Sequence, residues 1–394
     1  MGGGTEEGSE HPGPSSPAQG AAYTAQVIDA LTANPKVWAR TVLFITFDEN
    51  DGFFDHVPPP APPSPDPDAP GGFAGASTVA TDGEYHRLKA PGADGDDLAL
   101  RGRPYGLGPR VPMYVLSPWS RGGWVNSEVA DHTSIIRFME RRFGVMEPNI
   151  SAWRRAVCGD LLTAFDFKTP NATLAPLPET APARERARAI VGQTVPETPV
   201  APPHPVQEAG TRPARRLRYA LEVSDHIDPA AGIIRLDFTA GPGQGAVFHV
   251  YDRLRLDVIP RRYTVEGGRT LSGDWHLTGP EGAYDLWVRG PNGFHRAFIG
   301  TRSGALGISW AVEGDALRVT VAPGAGATVQ PGAYTDHHRA WTPGAEGGVM
   351  RWPLRPTQGW YDLVLTSGPV QRRLAGRVDG DWPVSSDPAV GRPA

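Results

Sequence analysis

The sequence predicts an α/β region followed by two tandem all-β, sandwich-like modules, and three observations carry that prediction. Within residues 1–165, apolar runs that lack polar alternation stand between segments of helical spacing. From about residue 214 the apolar residues alternate with polar ones over short stretches set apart by Gly- and Pro-rich turns. That β part also repeats itself.

In the first region, Tyr23, Val27, Ile28 and Leu31 recur at helical spacing between Gln19 and Asn34, and Asn34-Pro35 stops the helix. The run from Val42 to Phe47 is β-branched and aromatic throughout, as expected of a strand covered on both faces. A second such run spans Val111 to Leu116 and ends at Ser117-Pro118. Asp131 then caps a helix on which Ile135, Met139 and Phe143 share a face, and Gly144 ends it. Residues 166–213 are rich in Pro, Ala and Glu and read as a linker or an extended strap. Beyond them, Ile234, Leu236 and Phe238 predict one strand, and Leu254, Leu256 and Val258 another.

The repeat sets the boundaries of the two β modules, 214–302 and 303–394. Trp275, Leu277, Gly282, Tyr284, Asp285 and Leu286 recur as Trp352, Leu354, Gly359, Tyr361, Asp362 and Leu363, all offset by 77 positions. Each copy then reaches an Arg-x-x-x-Gly pattern, at Arg296–Gly300 and Arg372–Gly376. Two copies of one small module explain this register economically.

Composition narrows the classes of function. At 394 residues with 39% hydrophobic residues, the chain is long enough for more than one core. A net charge of −5 without any Lys/Arg block argues against a nucleic-acid partner. Cys158 is the one cysteine, so no internal disulfide forms. No apolar run is long enough to span a membrane, and the first residues have neither a basic nor an apolar leader segment.

The residues with chemical potential lie at 41–60, TVLFITFDENDGFFDHVPPP. An apolar strand runs into adjacent carboxylates, Asp48 and Glu49, and a Gly-containing loop then reaches Asp55-His56. In open α/β sheets ligands bind beyond the carboxyl ends of strands, and hard oxygen ligands with an imidazole suit a divalent metal. A solvated acidic loop, with His56 as an ordinary loop histidine, is the plainer alternative.

This segment closely resembles the signature of the phosphoesterase family that contains bacterial phospholipases C, plant non-specific phospholipases C and a group of acid phosphatases. Ser9-Glu10-His11-Pro12, Gly108-Pro109-Arg110-Val111-Pro112 with Ser117-Pro118-Trp119, and Asp131-His132-Thr133-Ser134 fit it in the same order. Residues 1–165 thus resemble the last part of an alkaline-phosphatase-like catalytic domain. The tandem β modules resemble the paired C-terminal domains of phosphocholine-type phospholipases C.

The resemblance implies hydrolysis of phosphocholine lipids, phosphatidylcholine with sphingomyelin as a further candidate, at a membrane surface by a secreted or periplasmic enzyme. Asp48 and Glu49 would bind a divalent metal of open identity. His11, His56 and His132 would donate protons or hydrogen bonds, although His132 also suits a place in the Asp131 cap. Arg110 would steady a phosphate, unless it makes a surface ion pair. Phe53, Phe54, Trp119 and Trp124 are candidates for a choline cage, each with a place in the core as the alternative. In this family the nucleophilic hydroxyl and an Asn-containing metal motif precede the His-Pro segment. No counterpart precedes His11, where Thr5 and Ser9 read as linker residues, so the chain is expected to be N-terminally truncated and inactive alone. A non-catalytic lipid- or partner-binding protein with a vestigial stub, and an acid phosphatase of the same family, are the competing readings.

Overall fold

The computed structural model describes residues 9–10, 15–50, 52–55, 57–86, 100–190, 192, 195, 197–202, 208–304 and 306–390. Its helices are α1 (Pro17–Thr32), α2 (Pro35–Trp38), α3 (His132–Phe143), α4 (Ala152–Val157) and α5 (Ala181–Arg188). The first strands are β1 (Leu43–Thr46), β2 (Ser64–Pro65), β3 (Phe73–Ser77) and β4 (Met113–Leu116). Next come β5 (Leu221–Asp228), β6 (Ile233–Ala240), β7 (Ala246–Asp252), β8 (Arg261–Val265), β9 (Arg269–His276), β10 (Tyr284–Arg289) and β11 (His295–Gly300). The last are β12 (Ile308–Glu313), β13 (Ala316–Val321), β14 (Ala327–Pro331), β15 (Gly348–Pro353), β16 (Trp360–Ser367) and β17 (Val370–Arg377). The fold is mixed α/β, with few helices and several β-sheets.

The chain divides into two compact units, the smaller formed by residues 1–47, 112–122 and 165–207. In it Ser16 caps α1 by accepting from the Gln19 amide at 3.3 Å, and Pro17 occupies the first turn, where no amide donor is needed. Asn34 does more than stop this helix: its Oδ1 accepts from the Lys36 amide at 3.0 Å and starts α2. The two apolar runs become β1 and β4, paired antiparallel with Phe44 opposite Val115. Ser117 donates from Oγ to the Thr41 carbonyl at 2.9 Å and pins the end of β4. Both strands are half-buried rather than covered on both faces, and Tyr114 is exposed. Among the described residues they form a two-stranded sheet, so uniform apolarity is not matched by two covering layers. The Pro-rich stretch holds α5, which packs on α1. Its sequence APARERAR joins a first-turn proline to strong helix formers, and those local preferences outweigh the linker-like composition.

The larger unit, 48–111, 123–164 and 208–394, is dominated by three sheets. Two are three-stranded, in the orders β5-β6-β9 and β12-β13-β15. The third has nine strands, in the order β14-β16-β17-β11-β10-β7-β8-β3-β2. One apolar cluster joins the β5-β6-β9 sheet to β7, β8, β10 and β11 through residues such as Phe238, Phe248, Tyr263 and Trp275. Phe238 stacks on Tyr263 with ring centroids 4.3 Å apart. A second cluster joins β13 and β15 to β14, β16 and β17 through Leu317, Val329, Trp352, Leu363 and Leu374. Each large side chain buried there contributes about 1.5–3 kcal/mol.

β6 follows its alternation, with Ile234, Leu236 and Phe238 buried and Arg235 exposed. The alternation at 254–258 misleads. Asp252 accepts from the Leu254 amide at 3.1 Å, its carbonyl accepts from the Arg255 amide, and the chain turns with Leu254 and Leu256 exposed. A side chain that closes a turn competes directly with strand formation.

The repeated residues occupy equivalent places. Trp275 and Trp352 are buried on β9 and β15, and Tyr284 and Tyr361 begin β10 and lie near the start of β16. Tyr284 is the register partner of Gly300, and Tyr361 of Gly376. A Cβ on Gly300 would lie 2.5 Å from the Tyr284 hydroxyl, so the glycine of the Arg-x-x-x-Gly pattern makes room for the tyrosine ring.

The arginine of that pattern links the two copies. β11 and β17 pair antiparallel with Ala297 opposite Arg373, so Arg296 faces Leu374 and Arg372 faces Phe298. Arg296 donates to the Tyr361 hydroxyl (3.1 Å) and the Ala375 carbonyl (3.0 Å), and Arg372 to the Tyr284 hydroxyl and the Ile299 carbonyl, both at 2.8 Å. Each copy thus hydrogen-bonds the tyrosine of the other across a local two-fold.

Candidate functional site

Asp48 and Glu49 follow β1 in the chain, and both are exposed to solvent. The loop after them is closed by the Phe53 amide donating to the Asn50 carbonyl at 3.0 Å, and Gly52 adopts the positive φ (+77°) that the turn requires. Phe53 and Phe54 stand out from this loop, 77% and 80% exposed. Asp55 accepts from Arg110 Nε at 2.7 Å, and the Arg110 side chain is 75% exposed. Arg110 thus makes the surface ion pair that stood as the alternative to a phosphate contact. His11 and His56 lie outside the described residues.

His132 is the first residue of α3 and is exposed. In the cap beside it, the Asp131 amide donates to Ser134 Oγ at 3.1 Å, and Thr133 Oγ1 donates to the Asp131 carboxylate at 2.6 Å. The same carboxylate accepts from Arg154. Arg154 also donates through Nε and Nη2 to both oxygens of buried Glu84, at 3.1 and 3.2 Å, and to the Gly106 carbonyl at 3.1 Å. Ser151, the N-cap of α4, donates to Glu84 at 2.6 Å. This buried ion cluster holds the starts of α3 and α4 together. Sequence spacing gave no sign of it, since Glu84 and Arg154 lie 70 positions apart.

Directly before Arg154 in the first turn of α4, Trp153 is fully buried and donates from its indole to Thr264 Oγ1 of β8 at 2.9 Å. β3 pairs in parallel with β8, Ala76 opposite Tyr263. The segment carrying the acidic loop and His132 is in this way built into the nine-stranded sheet.

The remaining aromatic candidates separate by environment. Trp119 packs against Phe167 at 5.8 Å, and Arg215 covers the Trp124 ring at 4.4 Å. Trp124 remains 43% exposed, and Phe53 and Phe54 are more accessible still.

For a metal, the chemistry of Asp48 and Glu49 is suitable: two accessible carboxylates supply hard oxygen donors to a divalent cation. Among the described residues no group of three or more His, Cys, Asp or Glu side chains is arranged to hold a metal. Among the described residues, no helix is long and apolar enough to cross a membrane.

Residues 4–146 match the phosphoesterase family, and residues 213–301 match the bacterial phospholipase C C-terminal domain. The chain is 44% identical to the non-hemolytic phospholipase C of Pseudomonas aeruginosa, over 97% of this chain and 57% of that protein. It is 42% identical to the protein of the same name from Burkholderia pseudomallei, over 97% of this chain and 55% of that protein. With the hemolytic phospholipase C of Pseudomonas aeruginosa the identity is 39%, over 95% and 55% respectively. The chain spans a little over half the length of these curated relatives. By these similarities, residues 4–146 carry a phosphoesterase domain and residues 213–301 a bacterial phospholipase C C-terminal domain.

Proposed function

We propose that the protein is a phospholipase C that hydrolyses phosphocholine lipids to diacylglycerol and phosphocholine at a membrane surface, and that it acts outside the cytoplasm. The observation that carries this reading is the likeness to proteins named phospholipase C along 97% of the chain, through the acidic loop and the β modules alike. Since the chain spans 57% of such a relative, the activity is that of the whole protein.

Asp48 and Glu49 would hold a divalent cation as part of an alkaline-phosphatase-like catalytic domain. When bound, that ion neutralises the phosphate oxygens and lowers the cost of attack at phosphorus. His11, His56 and His132 would donate the proton that the departing diacylglycerol oxygen needs, or a hydrogen bond to the phosphate. Arg110, which pairs with Asp55 beside the acids, would steady the phosphate. Phe53 and Phe54, which have no core to enter, face the lipid surface. The tandem β modules form two sandwich-like halves around the shared sheet.

The test compares p-nitrophenyl phosphorylcholine with p-nitrophenyl phosphate, using the full-length protein and its Asp48→Ala variant. The diester is the expected substrate, and Asp48→Ala is expected to lower turnover about 100-fold or more while leaving the melting temperature unchanged. A preference for the monoester would replace the phospholipase by a phosphatase. Wild-type turnover in Asp48→Ala would make the carboxylate a mere surface charge.

A further inference from the structure

A cavity of about 800 Å³ opens on the nine-stranded sheet. Strand alternation sets its floor. On β7, Phe248 and Val250 enter the cluster, while His249 and Tyr251 line the cavity. On β10, Leu286 and Val288 enter the cluster, while Trp287 and Arg289 line the cavity.

His249 is 7% exposed, and neither of its ring nitrogens has a hydrogen-bond partner. Its register partners are Arg289 on β10 and Arg262 on β8, so three adjacent strands carry Arg, His and Arg side by side. Among the described residues neither arginine has a carboxylate partner. Arg262 donates to Ser64 Oγ at 2.7 Å, with its Nε unsatisfied, and Arg289 lies over the Trp287 ring at 5.6 Å. The acids on the cavity wall are already engaged: Asp362 pairs with Arg373 at 2.6 Å, and Asp387 accepts from Tyr334 at 2.7 Å.

Burial and these two arginines hold the His249 imidazole down at about 4, so at neutral pH it offers one N–H and one lone pair. A water molecule would pair one nitrogen of that ring but brings no counter-charge to half-buried Arg262. An oxyanion does both, accepting from the imidazole and pairing with the guanidinium. Trp287 and Tyr251, opposite each other across β10 and β7, add a flat aromatic wall beside it.

We propose that this cavity is a separate binding site for a phosphate group carried on a small organic substituent. His249 and Arg289 contact the phosphate, Arg262 adds positive potential, and Trp287 and Tyr251 face the substituent. The site is independent of the hydrolytic reading, and none of its residues is assigned a role in hydrolysis.

The test is binding, measured in an Asp48→Ala background so that the acidic loop makes no metal-dependent contribution. Inorganic phosphate and phosphocholine are titrated by calorimetry, and vesicles of phosphatidylcholine with phosphatidylglycerol are tested by co-sedimentation. Binding of the soluble probes identifies a free phosphate ester, and binding confined to vesicles identifies a lipid headgroup. In either case Arg289→Met, a substitution at an exposed guanidinium, is expected to weaken binding roughly tenfold or more. His249→Phe is expected to do the same where its melting temperature shows that it folds. Absence of binding by all probes, or binding unchanged in Arg289→Met, overturns the proposal.

Discussion

At the scale of single residues, environment rather than residue type separates the histidines. His132 is exposed at a helix start, whereas His249 and His295 are held at about 4, from an ordinary 6.5, chiefly by burial and then by nearby arginines. Between these values the unfolded chain takes up protons that the folded chain refuses. The stability that neutral imidazoles contribute is therefore complete above about pH 6.5 and is lost as the pH falls to about 4. For buried His249 the loss amounts to about 3 kcal/mol. Thermal unfolding followed from pH 7 to 4 is expected to show a falling melting temperature, with a shallower fall in His249→Gln. A flat profile over that range would mean that both rings protonate freely in the folded protein. The candidates named from the sequence, Asp48, Glu49, Arg110 and His132, are all on the surface, where motif chemistry is readable. His249 has no motif around it. Its isolation arises from strand pairing, which places two arginines beside it.

Among the elements, α3 shows what a local pattern can and cannot specify. Its bounds, the Asp131 cap and the left-handed Gly144 all follow from the sequence. The face carrying Met139 and Phe143 does not enter a core, since both residues are exposed. What fixes the helix in place is Arg154, which joins the Asp131 carboxylate to buried Glu84. Arg154→Met is expected to leave Glu84 as a buried, unpaired charge and to cost about 3–5 kcal/mol in urea unfolding. A loss below about 1 kcal/mol, the range of surface pairs, would show that water reaches Glu84 readily. The misread strand at 254–258 follows the same logic in reverse: alternation was present, but the Asp252 carboxylate closed a turn first.

For the molecule as a whole, the two β copies share one nine-stranded sheet, and Arg296 and Arg372 are exchanged across its middle. Their carboxylate partners differ. Asp225, opposite Arg372, has a 14% exposed side chain, while Glu222, opposite Arg296, is 41% exposed. Arg372→Met is therefore expected to destabilise the protein by about 3–5 kcal/mol and Arg296→Met by less, because solvent can take over Glu222 but not Asp225. Equal and small effects in chemical denaturation would reduce the exchange to a surface feature. The interlock also explains why the repeat retains Tyr, Arg and Gly together. The ring needs the glycine opposite it, and its hydroxyl needs the arginine of the other copy.

The sequence by itself determined the local content of this protein: the stop that ends α1, the caps of α3, the apolar face of β6, the acidic loop after β1 and the 77-position repeat. These depend on neighbours within a few residues, or on like residues recurring in register. Only the tertiary structure decided which strands meet, and with that the merging of two copies into one sheet, the Glu84–Arg154–Asp131 cluster and the Arg–His–Arg row. The reason is physical: hydrogen-bonding between strands and the compensation of buried charge act between residues tens to hundreds of positions apart, where periodicity carries no information.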